Sequence, residues 1–156
     1  MLCGLSLGAL LMADLAAKHS GDGRLAGVFL MCPPIRMKGY LNFTAFISPL
    51  IPFVQTAEGF KEEGTELYYG AAARKLKDIR AMAKLALREA EGISCPVALI
   101  KAGNDSRVDP KSYDMLMKRI PKAELIVMPD APHGIPYSEK RGELCDIFAG
   151  FLAALK

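Results

Sequence analysis

The sequence contains no tryptophan and only two histidines, so it offers little material for a metal centre built on imidazole. Its four cysteines, Cys3, Cys32, Cys95 and Cys145, are far apart and lack the Cys-x-x-Cys or Cys/His spacing that binds zinc. We therefore expect no metal and no cofactor. Free cysteine commonly serves as a small buried apolar residue in a reducing compartment, which predicts core positions in a cytoplasmic protein.

Long apolar runs and a clustered charge are also missing. The apolar stretch 40–54 is broken by Pro49 and Pro52 and is shorter than the roughly 20 residues that a membrane-spanning helix needs. The apolar N-terminal stretch has no positively charged start, and Asp14 interrupts it, which argues against a signal peptide. The 20 basic and 17 acidic residues are dispersed along the chain. We expect no membrane span and no nucleic-acid partner.

The remaining pattern is typical of one α/β domain. The chain has 156 residues, 51% of them hydrophobic, and can bury a single core. Continuous apolar runs bounded by prolines or turns predict buried parallel strands at 25–31, 97–100 and 125–128. Helical patterns lie between and after them, at 7–19, 71–91, 109–120 and 138–155. These signals predict a mostly parallel sheet flanked by helices.

Residues 36–92 differ from the rest of the chain. A stretch rich in apolar and aromatic residues is followed by a polar, acidic stretch at 56–70 and then by the long predicted helix. Connections of this length are unusual in α/β units and are commonly lids or binding loops. We therefore predict a helical cap inserted at 36–92 within one domain that spans residues 1–156.

Chemistry is suggested first by Gly4-Leu5-Ser6-Leu7-Gly8. This is the pattern of a nucleophile elbow, in which a serine occupies a strained strand-to-helix turn and glycines let the backbone pass closely. Only three residues precede Gly4 to build the strand. We expect the N-terminal strands of the complete sheet to be absent from this chain.

Two further polar residues follow predicted strands. Asp105 lies in the loop after 97–101, and His133 lies in the loop after 125–128. Because ligands collect at the carboxyl ends of parallel strands, we expect both to lie near Ser6. A serine needs a base to become a nucleophile, and the base needs a carboxylate to fix its tautomer.

The three loops resemble those of α/β-hydrolases of the carboxylesterase and monoacylglycerol-lipase type. The resemblance rests on Gly4-Leu5-Ser6-Leu7-Gly8-Ala9, on the acid loop 103–110 and on Ala131-Pro132-His133-Gly134. It covers nearly the whole chain and is weakest in the insertion. It implies a partial α/β-hydrolase fold and an acyl-enzyme formed on Ser6, in the chain order serine, aspartate, histidine.

The identity of the acid is open at this level. Asp105, Asp109 and Asp130 all fall near the same edge of the predicted sheet. Asp109 also fits the N-cap of the following helix, and Asp130 precedes the histidine closely. Asp105 is therefore our prediction, with Asp109 as the alternative.

The oxyanion hole of such a site needs two backbone donors. The Leu7 amide, directly after the serine, is the predicted first donor. The resemblance implies that the second comes from a loop after an early strand, and loss of one donor typically lowers the rate by about 10²–10³-fold. A non-catalytic hydrolase remnant, or a half-domain that forms a homodimer through an exposed sheet edge, is the alternative.

The insertion suggests the substrate. Apolar residues there could line a slot for an acyl chain, which favours small-molecule esters such as medium-chain acyl esters or monoglycerides. These residues could equally pack the insertion onto the sheet, and the same triad could serve a thioesterase, perhydrolase or acyltransferase. The predicted substrate-binding residues are Phe43, Phe46, Ile47, Leu50 and Phe53.

Overall fold

The computed structural model describes residues 1–48, 50–55 and 70–155. Its six strands, in chain order, are β1 (Leu2–Leu5), β2 (Val28–Met31), β3 (Phe53–Gln55), β4 (Gly70–Ala72), β5 (Val97–Asn104) and β6 (Ala123–Pro132). Its five α-helices are α1 (Leu7–His19), α2 (Gly39–Ile47), α3 (Lys75–Glu89), α4 (Lys111–Arg119) and α5 (Arg141–Ala154).

Four of the strands form a parallel sheet in the order β1-β2-β5-β6, which confirms the predicted fold class. Every residue of β2 is buried, as expected for an apolar strand between two parallel neighbours. The predicted strand 25–31 begins later, at Val28. The other two predicted strands extend further, to Asn104 and Pro132.

The extension of β5 depends on a close approach to β6. A Cβ added to Gly103 would lie 1.9 Å from the carbonyl oxygen of Pro129, so only glycine fits there. The register shifts between Ala102 and Asn104, after which Asn104 pairs with Pro132. The residues that follow these two strands therefore emerge side by side.

Helices cover the sheet, with α1 against α3 and α5 against β2. Phe29 meets Phe148 edge to face at 5.0 Å between ring centroids and lies 5.7 Å from Phe151. Leu152, on the same helix, is 43% exposed. Within the described ranges, none of the helices has the length and hydropathy needed to span a bilayer.

Helix α1 is largely apolar, but one side of it is exposed. Ala9, Leu10, Ala13 and Ala16 are buried, but Leu7, Leu11 and Leu15 are 41%, 46% and 37% exposed. These three leucines recur at a spacing of four residues and form a stripe along one face. The helix follows β1, an edge strand of the described sheet. Apolar content alone could not separate a fully buried helix from one with an open side.

Two of the four cysteines are not core residues as predicted. Cys32 and Cys95 are buried, whereas Cys3 and Cys145 are exposed. Cys3 lies in the edge strand β1, which has one unpaired side in the described sheet, and this accounts for its exposure.

The insertion contains α2, α3 and an antiparallel pair of short strands that the sequence did not predict. Phe53 pairs with Ala72 and Gln55 pairs with Gly70. Because β4 occupies the start of the predicted helix 71–91, α3 begins only at Lys75. Strands of three residues are too short to show an alternating pattern. Pro49 and most of the predicted polar stretch, residues 56–69, lie outside the described residues, and the cap remains a prediction.

The turn from β1 to α1 depends on one of the two predicted glycines. A Cβ on Gly4 would lie 2.4 Å from the carbonyl oxygen of Gly8, whereas a Cβ on Gly8 would meet nothing within 4 Å. Close passage of the backbone therefore explains Gly4 but not Gly8.

We expect Gly4→Ala to lower the free energy of unfolding by about 2–4 kcal/mol, because the backbone must move to accept the methyl group. Gly8→Ala is the matched control and should raise it by about 0.5–1 kcal/mol, since alanine favours a helix. Urea denaturation measures both. Equal effects of the two substitutions would contradict the packing described for this turn.

Candidate active site

The four strands of the main sheet end at one edge, and a polar or thiol side chain follows each of them directly. Ser6 follows β1, Cys32 follows β2, Asp105 follows β5 and His133 follows β6. In parallel sheets this edge is where ligands bind. The fold thus gathers four chemically active side chains at the place where a site is expected.

Ser6 occupies a strained turn between β1 and α1. Its backbone has φ 55° and ψ −120°, a combination rarely adopted by residues other than glycine. The Ser6 amide donates to the carbonyl oxygen of Met31 at 2.8 Å, which ties the turn to the end of β2. Strain of this kind is maintained only where the surroundings enforce it.

Ser6, His133 and Asp105 form a continuous hydrogen-bonded chain. Ser6 Oγ lies 2.9 Å from His133 Nε2, and His133 Nδ1 lies 2.9 Å from Asp105 Oδ2. His133 is 5% exposed and Asp105 is 6% exposed. Because an ionised carboxylate only accepts hydrogen bonds, Nδ1 carries the proton in this arrangement and Nε2 accepts from the serine hydroxyl. This geometry allows a proton to pass from the hydroxyl to the imidazole.

Backbone amides fix the carboxylate of Asp105. Asp105 Oδ1 accepts hydrogen bonds from the amides of Arg107 at 2.7 Å and Val108 at 2.9 Å. Burial acts to raise the pKa of Asp105, but the hydrogen bond and charge of His133, together with these amides, outweigh it and lower the pKa below its ordinary value. Asp105 therefore stays ionised at neutral pH and can stabilise positive charge on the ring.

The other aspartates considered from the sequence have different partners. Asp109 Oδ2 lies 2.8 Å from Arg36 Nε, and its Oδ1 accepts from the Lys111 amide at 2.9 Å near the start of α4. These bonds lower the pKa of Asp109, the Lys111 amide most strongly. Asp130 is exposed. Of the three candidates, the structure brings Asp105 to His133.

The predicted oxyanion donor is the first residue of α1. The amides at the start of a helix have no acceptor within the helix, so the Leu7 N–H is suited to bind an anion. The Leu7 side chain is 41% exposed. Its role in the site is a prediction, and so is the origin of a second donor.

The five predicted substrate residues lie in α2 and the segment after it. Phe43, Phe46, Leu50 and Phe53 are 63%, 77%, 84% and 56% exposed, and Ile47 is half-buried. These residues do not pack the insertion onto the sheet. We call these five apolar residues the cap patch, and their contact with substrate remains a prediction.

A separate open cleft of about 420 Å³ lies between the loop after β2 and helix α3. Its described walls include Pro34, Met37, Asn42, Arg80 and Leu87. None of the cap-patch residues belongs to this lining. The residues predicted to line an acyl-chain slot therefore differ from those that line this cleft.

Cys32 is the one member of the strand-end group that the sequence analysis assigned only to the core. Its thiol, an Asp105 oxygen and a His133 nitrogen lie within 4.8 Å of one another, which is a possible metal-ligand set. Burial, and then the charge of Asp105, raise the pKa of the Cys32 thiol to about 12. A protonated thiol is a poor metal ligand. The chemistry of this group therefore favours hydrogen bonding, and the signal that could have identified it is its position directly after a buried strand.

Comparisons with known proteins bear on the family. A family model described as the alpha/beta hydrolase family matches residues 1–147. The search of curated proteins found no match.

Several solved structures share the fold at low sequence identity. One comes from work on LipS and LipT, two metagenome-derived lipolytic enzymes, with TM-score 0.82, 20% identity, and coverage of 97% of this chain and 64% of that chain. The monoacylglycerol lipase of Paleococcus ferrophilus gives a TM-score of 0.74 and 16% identity, with coverage of 99% of this chain and 68% of that chain. A variant of monoglyceride lipase from Saccharomyces cerevisiae gives a TM-score of 0.68 and 17% identity, with coverage of 93% of this chain and 61% of that chain. This chain therefore spans about two thirds of the length of these proteins.

We expect the ionised Asp105 to stabilise the fold in a pH-dependent way. Its pKa is lower in the folded chain than in the unfolded chain, where aspartate titrates near about 3.9. The stabilisation is therefore present above that value and is lost as the pH falls through the lower, folded pKa. Asp105→Asn should be less stable than wild type by about 1–3 kcal/mol at neutral pH.

Urea unfolding from about pH 7 down to about pH 3 measures this difference, which should narrow on acidification. Asp130→Asn, at an exposed position, is the matched control for the loss of one negative charge. If the difference in free energy of unfolding between wild type and Asp105→Asn grows as the pH falls, the expected direction of the pH dependence is wrong.

Proposed function

The chain belongs to the alpha/beta hydrolase family, and from that membership we propose that it is a serine-dependent carboxylic ester hydrolase. The single observation that carries the proposal is the hydrogen-bonded chain of Ser6, His133 and Asp105. A serine bonded to a buried histidine, itself bonded to an ionised carboxylate, is suited to nucleophilic acyl transfer. No bound ion or cofactor is required for this chemistry.

In the acylation step, Ser6 Oγ attacks the ester carbonyl and its proton passes to His133 Nε2. The imidazolium is stabilised by Asp105, which stays ionised throughout. The Leu7 amide donates to the oxyanion of the tetrahedral intermediate. As the intermediate collapses, the C–O bond to the alcohol breaks, and the alcohol leaves with the proton from His133.

In the deacylation step, a water molecule takes the place of the alcohol. His133 accepts a proton from that water as it attacks the acyl-enzyme, and then returns the proton to Ser6 Oγ as the carboxylic acid leaves. The Ser6–His133 distance of 2.9 Å suits both transfers. The two steps regenerate the free serine and the neutral imidazole.

For the substrate, we propose medium-chain acyl esters or monoglycerides. The cap patch supports this class, because exposed apolar side chains are well suited to bind an acyl chain. Structural neighbours include a monoacylglycerol lipase and a monoglyceride lipase, which is consistent with the proposal. A thioesterase, perhydrolase or acyltransferase would use the same three side chains.

A second candidate is a non-catalytic domain that self-associates. The observation in its favour is the leucine stripe of Leu7, Leu11 and Leu15, which lies on the helix that follows the edge strand β1. Edge strands with adjacent apolar surface favour pairing with another chain. In this case the triad geometry would be retained without turnover.

We expect a fluorophosphonate probe to label the chain stoichiometrically at Ser6, and Ser6→Ala to abolish labelling. Asp105→Asn should lower the labelling rate by about 10³–10⁴-fold, because the histidine loses its fixed tautomer. Asp109→Asn is the matched control and should label within about threefold of wild type, since Asp109 bonds Arg36 rather than His133. Mass spectrometry measures the rate and the site.

If Asp105→Asn and Asp109→Asn lower the labelling rate equally, Asp105 is not the carboxylate that acts on His133. A wild-type chain that is folded but unlabelled, and whose mass in solution increases with concentration, would favour the self-associating domain instead.

If the cap patch binds the acyl chain, replacing its exposed residues should affect long esters only. Phe46→Ser and Leu50→Ser should each lower kcat/KM for p-nitrophenyl octanoate by about three- to tenfold and leave the acetate unchanged, because apolar contact area is lost. Leu152→Ser, which removes an exposed leucine from α5, is the matched control. A uniform effect on both esters would separate the patch from acyl-chain binding.

A further inference from the structure

One strand-end side chain remains outside the proposed mechanism. Ser6, Asp105 and His133 follow β1, β5 and β6, and Cys32 follows β2, which lies between β1 and β5 in the sheet. Cys32 therefore occupies the middle of the row from which the other three side chains project. Its side chain is fully buried.

The backbone of Cys32 is strained in the same way as that of Ser6. Its φ is 47°, and these two are the residues other than glycine with positive φ among those the structure describes. The Cys32 amide donates to the carbonyl oxygen of Ile100 at 3.0 Å, and the Ser6 amide donates to the residue just before Cys32. Two strained residues on adjacent strand ends are unusual, and such residues concentrate at functional sites.

The thiol lies near Asp105, the proposed acid of the triad. Cys32 Sγ is within 4.8 Å of both the Asp105 carboxylate and a His133 nitrogen, and it interacts with the side chains of Asp105 and Tyr113. The raised pKa of Cys32, caused first by burial and then by the charge of Asp105, keeps its proton in place. The group beside the carboxylate is thus a neutral S–H donor and not a second negative charge.

The hydrogen-bonding capacity of Asp105 leaves room for this donor. Oδ1 accepts from two amides and Oδ2 accepts from His133 Nδ1. A carboxylate has about four lone-pair sites, so one remains for a donor in the buried space next to it. The Tyr113 side chain, which is also buried, interacts with the Cys32 thiol, and its hydroxyl lies 3.5 Å from the carbonyl oxygen of Ile100.

We propose that Cys32 is a positioning residue, whose thiol donates to the Asp105 carboxylate and holds it in line with His133 Nδ1. The thiol forms no bond to substrate and undergoes no covalent step. Its catalytic consequence rests on the proposed function, whereas its effect on the Asp105–His133 hydrogen bond does not.

The first test is spectroscopic and needs no turnover. The Nδ1 proton of His133 is observed by NMR in the full chain, and with only two histidines in the sequence, His19→Gln assigns it. Cys32→Ala should speed exchange of this proton with water by about tenfold, because the carboxylate loses a donor that fixes it. Cys32→Ser, which keeps a donor, should stay within about threefold of wild type.

Cys95→Ala is the matched control, because it removes the other buried thiol from a position outside the site. Unchanged exchange in Cys32→Ala would overturn the proposal, and so would faster exchange in Cys95→Ala to the same extent. A wild-type chain that fails to react with the fluorophosphonate would contradict the proposed function. The exchange rates of the His133 Nδ1 proton in the variants would still test the role of Cys32.

The second test separates the thiol from the strained backbone. Cys32→Gly relieves the strain of the positive φ but removes the S–H donor. Its midpoint of unfolding should therefore lie at a urea concentration at least as high as that of Cys32→Ala. Both variants should lose about tenfold in the rate of Ser6 labelling, and Cys32→Ser should recover most of it. Labelling at the wild-type rate in Cys32→Gly would mean that strain, and not the S–H donor, explains this residue.

Discussion

The parallel pairing of β5 with β6 is the constraint on which the site depends. Asn104 and Pro132 are partners at the ends of these strands, so Asp105 and His133 leave the sheet next to each other. The sheet register therefore brings the two residues together, and the loop amides of Arg107 and Val108 then orient the carboxylate. Gly103 permits the pairing, because any larger residue would collide with the backbone of Pro129. Side chains at the edge of a rigid sheet are positioned more precisely than side chains on a loop.

Much of this site could be predicted from sequence because its parts are local. Asp105 and His133 each follow a recognisable apolar strand, and the Gly-x-Ser-x-Gly pattern marks Ser6. The common direction of parallel strands then brings the three residues to one edge. Helix α1 was also predicted with the bounds that the structure gives it, 7–19. The choice between Asp105 and Asp109 needed distances, since both lie in one loop and both are suited to accept hydrogen bonds.

Other features depend on packing that a sequence does not display. The exposed leucine stripe of α1 looks like core by composition, because hydrophobicity does not record which neighbours a helix has. The β3–β4 pair is too short to show periodicity. The position of Cys32 directly after a buried strand was a usable signal, but the sequence does not show that its thiol lies near a carboxylate. Its positive φ and its neighbours become apparent only in three dimensions.

The Ser6–His133 hydrogen bond joins residues that are 127 positions apart in the chain. Closing so long a loop is entropically unfavourable and contributes only late to folding, after the intervening strands have found their places. During synthesis Ser6 therefore emerges long before His133. A nascent chain consequently cannot form this hydrogen bond until the histidine has also left the ribosome.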